Sequence, residues 1–231
     1  MSFFAKKNLG QNFLIDEKII DIITEIANID SKDEVLEVGP GAGALTQSIL
    51  KKKPKCFTVI EKDQRLVKIL NDKYGDKINV INDDMMKFSY KEFEKSKLTI
   101  FGNLPYNIST QILAKWIKIS KLEQFCKKFI LMFQKEVADR IIADTNTKDY
   151  GRLSILSNWK MEIEKIIDKS KIIGRATRLY KNIRTIIMLK PYLHCYTLFR
   201  CLFQSYSTVL FYNKVYYHFV STVCTINLYF Q

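Results

Sequence analysis

The block Gly102-Asn103-Leu104-Pro105-Tyr106-Asn107-Ile108-Ser109 carries the residue types best suited to chemistry on a planar amine. An asparagine side-chain oxygen and the carbonyl preceding a proline form a pair of acceptors for an –NH2 group, and a tyrosine beside them offers a face for base stacking. The plain alternative is a proline turn with a helix cap at Asn107 or Ser109. Three further constellations lie upstream. Glu37-Val38-Gly39-Pro40-Gly41-Ala42-Gly43 joins a strand-like run to a helix-like one, and its glycines let a ligand approach the backbone closely. The spacing departs from G-x-G-x-x-G because the third glycine arrives one residue early, so the turn either binds a nucleoside-type ligand or merely packs. Glu61 follows Gly39 by 22 residues and ends the next apolar run, where an acid can accept from both ribose hydroxyls or remain a solvated strand end. In Asn82-Asp83-Asp84-Met85, a carboxylate can accept from an adenine amino group while the following N–H donates to the ring; a turn or helix-capping aspartate is equally compatible.

These residues need a scaffold that brings the ends of several apolar runs together. The first 168 residues alternate short β-branched runs with helical periodicity, the pattern of a parallel sheet with crossover helices. Strands are predicted around Glu34–Val38, Phe57–Glu61, Ile78–Ile81, Leu98–Phe101 and Phe129–Phe133. Helices are predicted from an Asp16 N-cap, with Ile19, Ile20, Ile22, Ile23 and Ile26 on one face, and over Leu45–Lys52, Gln64–Asn71, Thr110–Ile119 and Lys135–Ala143. An α/β, doubly wound sheet follows, with ligands expected at the carboxyl ends of its strands.

Composition narrows the functional classes. The 231 residues carry a net charge of +13, which favours a polyanionic partner. That charge is unevenly placed: residues 1–168 hold 28 basic and 24 acidic residues, whereas residues 169–231 hold 9 basic and none acidic. Five scattered cysteines signal neither a disulfide framework nor a metal site, so a reducing, cytoplasmic compartment is expected. The N-terminal MSFFAKKNLGQNF shows no secretory pattern. Both histidines, His194 and His218, lie beyond residue 193, so chemistry housed before them proceeds without imidazole; this removes Ser-His hydrolases and His-based acid-base schemes. Val215–Gln231 is the longest uncharged run of the tail, 17 residues and too polar for a membrane helix.

Taken in order and spacing, Lys7-Asn8-Leu9-Gly10-Gln11-Asn12-Phe13-Leu14, the Glu37–Gly43 turn, Glu61, Asp84 and N-L-P-Y-N-I-S resemble the rRNA adenine N6-dimethyltransferases of the KsgA group. Thr147-Lys148-Asp149-Tyr150-Gly151-Arg152-Leu153-Ser154 is similar as well, and the match covers about residues 3–168. Large-subunit resistance methyltransferases usually show N-I-P-Y, so Leu104 and the K-N-L-G-Q-N-F-L start favour the KsgA group. The resemblance implies a Rossmann-like class I methyltransferase sheet using S-adenosyl-L-methionine. It places the cofactor on Gly39, Gly41 and the backbone at Asn12 and Leu14, the ribose on Glu61, the adenine on Asp84 and Met85, and the methionine end near Asn103. Asn103, Leu104, Pro105 and Tyr106 would hold the target adenine. The implied partner is small-subunit (16S) rRNA in the immature 30S subunit, with no membrane, metal or obligate protein partner. The alternatives are a large-subunit rRNA methyltransferase and an impaired remnant or ribosome-assembly binding protein. Lys6, Lys7, Lys51–Lys53, Lys55, Lys127 and Lys128 are candidates for phosphate contacts.

After Asp168 the family continues with S-P-x-x-F-x-P-x-P-x-V-x-S, the last antiparallel strands and a small helical domain. Here Lys169-Ser170-Lys171-Ile172-Ile173-Gly174-Arg175 follows instead, with no proline before Pro191. Residues 169–190 read as basic with some helical character, and residues 191–231 hold 12 aromatics. A boundary is therefore expected at 168/169. It would separate a methyltransferase domain lacking its closing strands from an atypical, frameshifted or decayed tail, leaving an exposed sheet edge, poor solubility and weakened catalysis.

Overall fold

A computed structural model describes residues 14, 16–93, 96–168 and 184–192. Asp16 accepts a hydrogen bond from the Ile19 N–H at 3.3 Å and starts α1 (Glu17–Ala27), which ends at Asn28 in the left-handed conformation. The elements then alternate: β1 (Glu34–Val38), α2 (Ala44–Lys51), β2 (Cys56–Glu61), α3 (Gln64–Tyr74), β3 (Asn79–Asn82), β4 (Leu98–Gly102), α4 (Ser109–Ile117), α5 (Leu122–Phe125), β5 (Cys126–Gln134), α6 (Lys135–Ile142), α7 (Arg152–Lys160), β6 (Met161–Asp168) and β7 (Arg184–Pro191). Among the described residues these strands form one seven-stranded sheet of order β3-β2-β1-β4-β5-β7-β6. Strands β1 to β5 are parallel, and β7 runs antiparallel to both β5 and β6.

Strict alternation along the strands gives the sheet two apolar faces. Leu36, Val38, Ile100, Phe129, Leu131 and Phe133 pack on one side with Trp116, Ile112 and Leu113 of α4 and Ile141 of α6. Val35, Val59, Phe101, Ile130 and Met132 pack on the other with Ile19, Ile20 and Ile23 of α1, Ile49 of α2 and Leu70 of α3. Both faces are covered, which is why the central strands read as near-continuous apolar runs. The doubly wound expectation holds, and the five predicted strands appear within a few residues of their expected bounds.

The closing strands correct the sequence reading. Strand β7 sits inside the sheet, with Ile187 and Leu189 in the first apolar cluster and Ile186 and Met188 in the second. The segment expected to be basic and partly helical thus supplies, at Thr185–Leu189, a strand buried on both faces. Its T-I-I-M-L run carries that signal, but the surrounding lysines and the missing prolines outweighed it. The compact unit reaches Pro191, so a boundary at 168/169 falls between two paired strands of one sheet, and among the described residues β6 is the outer strand beside β7. Residues 169–183 and 193–231, which carry the rest of the tail, lie outside the described residues. No helix among the described residues is long and apolar enough to cross a membrane.

Candidate active site

The order of the sheet reverses between β1 and β4, and connections leave their carboxyl ends in opposite directions, which opens a crevice there. Register aligns the candidate residues along that edge: Val38 pairs with Ile60 and Gly102, and Glu61 pairs with Asn82. Gly39, Glu61, Asp84 and Asn103 therefore all emerge from neighbouring strand ends.

The turn after β1 is built on positive φ at Gly39 (68°), Gly41 (61°) and Gly43 (82°). The Gly39 N–H donates to the Ile60 carbonyl at 3.0 Å, tying the turn to β2. A Cβ at Gly39 would stand 3.6 Å from the Asn103 carbonyl oxygen, so a side chain there would enter the gap between the ends of β1 and β4. At Gly43 a Cβ would stand 2.8 Å from the Tyr74 ring, whose hydroxyl donates to the Gly43 carbonyl at 2.6 Å. Only glycine fits both that approach and that φ.

Glu61 is buried and organises the edge. One carboxylate oxygen accepts from the Gly41 N–H at 3.2 Å and the other from the Asp63 N–H at 2.9 Å. Burial raises its pKa, while these backbone N–H groups pull it back. A carboxylate has about four lone-pair sites, so Glu61 keeps acceptor capacity beyond these backbone contacts. Asn82 donates from its amide to the Glu61 carbonyl at 2.9 Å and holds the ends of β2 and β3 together.

Asp84 is half-buried. Lys62 donates to it at 2.8 Å and holds its pKa down, and the Met86 N–H donates to its other oxygen at 2.9 Å. Met85 is buried beneath it and receives a hydrogen bond from the Tyr90 hydroxyl at its sulfur, 3.3 Å away. After β4, Leu104 is buried and anchors the proline turn, the Ile108 N–H donates to the Pro105 carbonyl at 3.2 Å, and the Ser109 hydroxyl donates to the Tyr106 carbonyl at 3.4 Å. Asn103, Pro105 and Tyr106 are half-buried at the edge. The proline turn is present, and α4 starts after it with no side-chain cap from Asn107 or Ser109.

Leu14 is half-buried and packs against the α1 side of the core, and Asn12 lies outside the described residues, as do Lys6 and Lys7. The phosphate-contact lysines at 51–55 and 127–128 flank the amino ends of β2 and β5, about 15 Å of strand away from the site. Lys128 is a correction: it is 8% exposed and donates to the Ala27 carbonyl at the end of α1. Lys127 and Lys55 are ion-paired with Asp33 at 2.6 Å and Glu34 at 2.7 Å. Their spacing in sequence carried no information about which end of a strand they occupy.

Glu37, read in the sequence only as part of the glycine turn, is fully buried in β1 and accepts from the Thr46 hydroxyl of α2 at 2.7 Å. Burial pushes its pKa up to about 8, helped by repulsion from Glu61 and opposed by Thr46. It is therefore mostly protonated at neutral pH. Between its ordinary value of 4.5 and about 8 the folded state binds more protons than the unfolded one, so stability falls as pH rises through that window. Glu37→Gln, which keeps the shape and the neutral state, is expected to flatten this slope and to gain about 3 kcal/mol over the wild type near pH 7. Urea midpoints at pH 5 and pH 8 check it, and identical slopes for both proteins would contradict it.

The family model of the ribosomal RNA adenine dimethylases matches residues 2–175. The chain is 54% identical over 164 residues to the ribosomal RNA small subunit methyltransferase A of Pelagibacter ubique, covering 71% of this chain and 62% of that one. It is 44% identical over 169 residues to the same-named protein of Malacoplasma penetrans, covering 73% and 60%. It thus spans about three-fifths of the length of these curated relatives. A solved dimethyladenosine transferase from Plasmodium falciparum aligns with a TM-score of 0.64 at 29% identity, covering 78% of this chain and 64% of that one. The 23S rRNA methyltransferase ErmE aligns with a TM-score of 0.63 at 25% identity, covering 78% and 70%. With its glycine turn, strand-end acids and N-L-P-Y block on one sheet edge, and with three quarters of its length matched, the chain belongs to the ribosomal RNA adenine dimethylase family.

Proposed function

We propose that the chain transfers methyl groups from S-adenosyl-L-methionine to N6 of adjacent adenosines in small-subunit rRNA of the immature 30S subunit. The observation that supports this reading is the closeness of the Gly39 turn to the Asn103 carbonyl, as a nucleoside cradle beside an amine-acceptor pair would require. The small-subunit names of the curated relatives, and Leu104 in place of isoleucine, support small- over large-subunit rRNA.

The residues present fit the cofactor. Gly39 leaves room against the backbone, Gly41 donates to Glu61, Glu61 keeps acceptor capacity for a ribose, and Asp84 with the Met85 N–H matches the edge of an adenine. When bound, the cofactor supplies an electrophilic sulfonium methyl. Asn103 and the Leu104 carbonyl would accept both N6 protons of the target adenine, so that its nitrogen pyramidalises and its lone pair turns out of the ring. Tyr106 would stack on the flipped base. The leaving thioether takes no proton, and the cationic methylated N6 is acidic enough to release its proton to water after transfer, so no imidazole is needed, in keeping with histidines confined to residues 194 and 218.

Incubation of the full chain with methyl-labelled cofactor and either immature 30S or 50S particles tests the substrate. Label is expected in 30S rRNA alone. Label in the large subunit would replace this reading with the resistance-type activity, and label in neither would leave a binding protein without turnover.

A further inference from the structure

Lys115 is a lone lysine on α4, and nothing in its sequence context marks it. It reaches the loop that follows β3. Its ammonium donates to the carbonyls of Phe88 at 2.8 Å, Met86 at 3.0 Å and Met85 at 3.5 Å. Three N–H donors thus meet three main-chain acceptors, which uses the full capacity of an ammonium group. The same nitrogen lies 5.4 Å from the centre of the Tyr90 ring, which adds a cation–π contact. Burial lowers its pKa, an effect that Asp83 and Asp84 oppose.

The location gives this clamp a purpose. Asp84 to Phe88 is a tight turn in which the Lys87 and Phe88 N–H groups donate to the Asp84 carbonyl at 2.7 and 2.8 Å. The Met85, Met86 and Phe88 carbonyls point toward Lys115 of α4, while the Asp84 carboxylate accepts from Lys62 and from the Met86 N–H. Helix α4 begins at Ser109, the last residue of the N-L-P-Y-N-I-S block, about 9 Å along the helix from Lys115. One side chain therefore joins the loop of the adenine subsite to the element that carries the acceptor pair.

We infer that Lys115 is a positioning residue, holding the Met85 peptide and the Asp84 carboxylate in the orientation that receives the adenine of the nucleoside cofactor. This rests on the function proposed above. Loss of the ammonium frees three carbonyls to turn toward water, so the loop loses its fixed orientation before ligand arrives. The effect falls on ligand affinity, because the Asn103–Leu104 pair is held separately by the buried Leu104 and the Pro105 turn.

The test is calorimetric binding of S-adenosylhomocysteine to the full chain as wild type, Lys115→Met and Lys115→Gln, with steady-state methyl transfer on 30S particles. Lys115→Met is expected to weaken binding and raise the cofactor KM about tenfold, with kcat at saturating cofactor within about twofold of wild type. Lys115→Gln, which retains N–H donors, is expected to lie between the two. Wild-type affinity in Lys115→Met overturns the inference. So does a fall in kcat with KM unchanged, the mark of a merely structural role. If Lys115→Met does not fold, Lys115→Gln decides alone: several-fold weaker binding supports the clamp and unchanged binding removes it. Failure of the wild type itself to bind S-adenosylhomocysteine overturns the proposed function, and with it this inference, a result separable from a wild type that binds beside an indifferent variant.

Discussion

Asn103→Ala is expected to lower the turnover of methyl transfer by about 10^2- to 10^3-fold while changing cofactor affinity only a few-fold. The adenine N6 lone pair is delocalised into the ring and attacks poorly. Two acceptors on its protons favour the pyramidal nitrogen that exists only near the transition state, so their removal raises the barrier more than it weakens ground-state binding. The substitution should spare the fold. Leu104 stays buried in the core, and the turn keeps its Ile108 to Pro105 hydrogen bond, neither of which involves the Asn103 side chain. Single-turnover methyl transfer at saturating cofactor measures the chemical step, and an unchanged rate would remove the acceptor pair from the mechanism.

Glu61→Ala is expected to act at the other half of the site, weakening cofactor affinity by about 100-fold. The carboxylate accepts from Gly41 and Asp63 and, in the proposed complex, from both ribose hydroxyls. Truncation removes the ribose acceptors and leaves two N–H groups of the edge without their partner, one of them in the glycine turn. A smaller loss, about tenfold, is expected for Glu61→Gln, whose amide oxygen can still accept from one of the two N–H groups while its NH2 cannot accept from the other. Titration with S-adenosylhomocysteine measures both. Wild-type affinity in the alanine variant would mean that Glu61 serves the turn alone.

The parallel part of the sheet was legible because β1, β2, β4 and β5 are short, largely buried apolar runs, and β3 is a short half-buried one beside them. The same periodicity placed the glycine turn, Glu61, Asp84 and Asn103 at strand ends, and the register of β1 to β4 brings those ends together. Strand β7 was missed although Thr185–Leu189 has the same apolar character, because its partners β5 and β6 lie far off in sequence and local composition pointed elsewhere. Residues that act through tertiary contact were also invisible. Lys115 reaches its carbonyls across 27 to 30 positions, and Lys62 reaches Asp84 across 22. Lys128 looked like a surface cation and is instead spent on the carbonyl end of α1. Glu37 stood inside a recognised motif, yet its protonated state follows only from the depth at which β1 places it.

Mass analysis of nucleosides from 30S rRNA treated with the full chain and S-adenosyl-L-methionine, beside an Asn103→Ala control, tests the central claim most directly. The account expects N6,N6-dimethyladenosine with the wild type and only traces with the variant. Methylation at another base or ring position, or equal dimethyladenosine from both proteins, would contradict it.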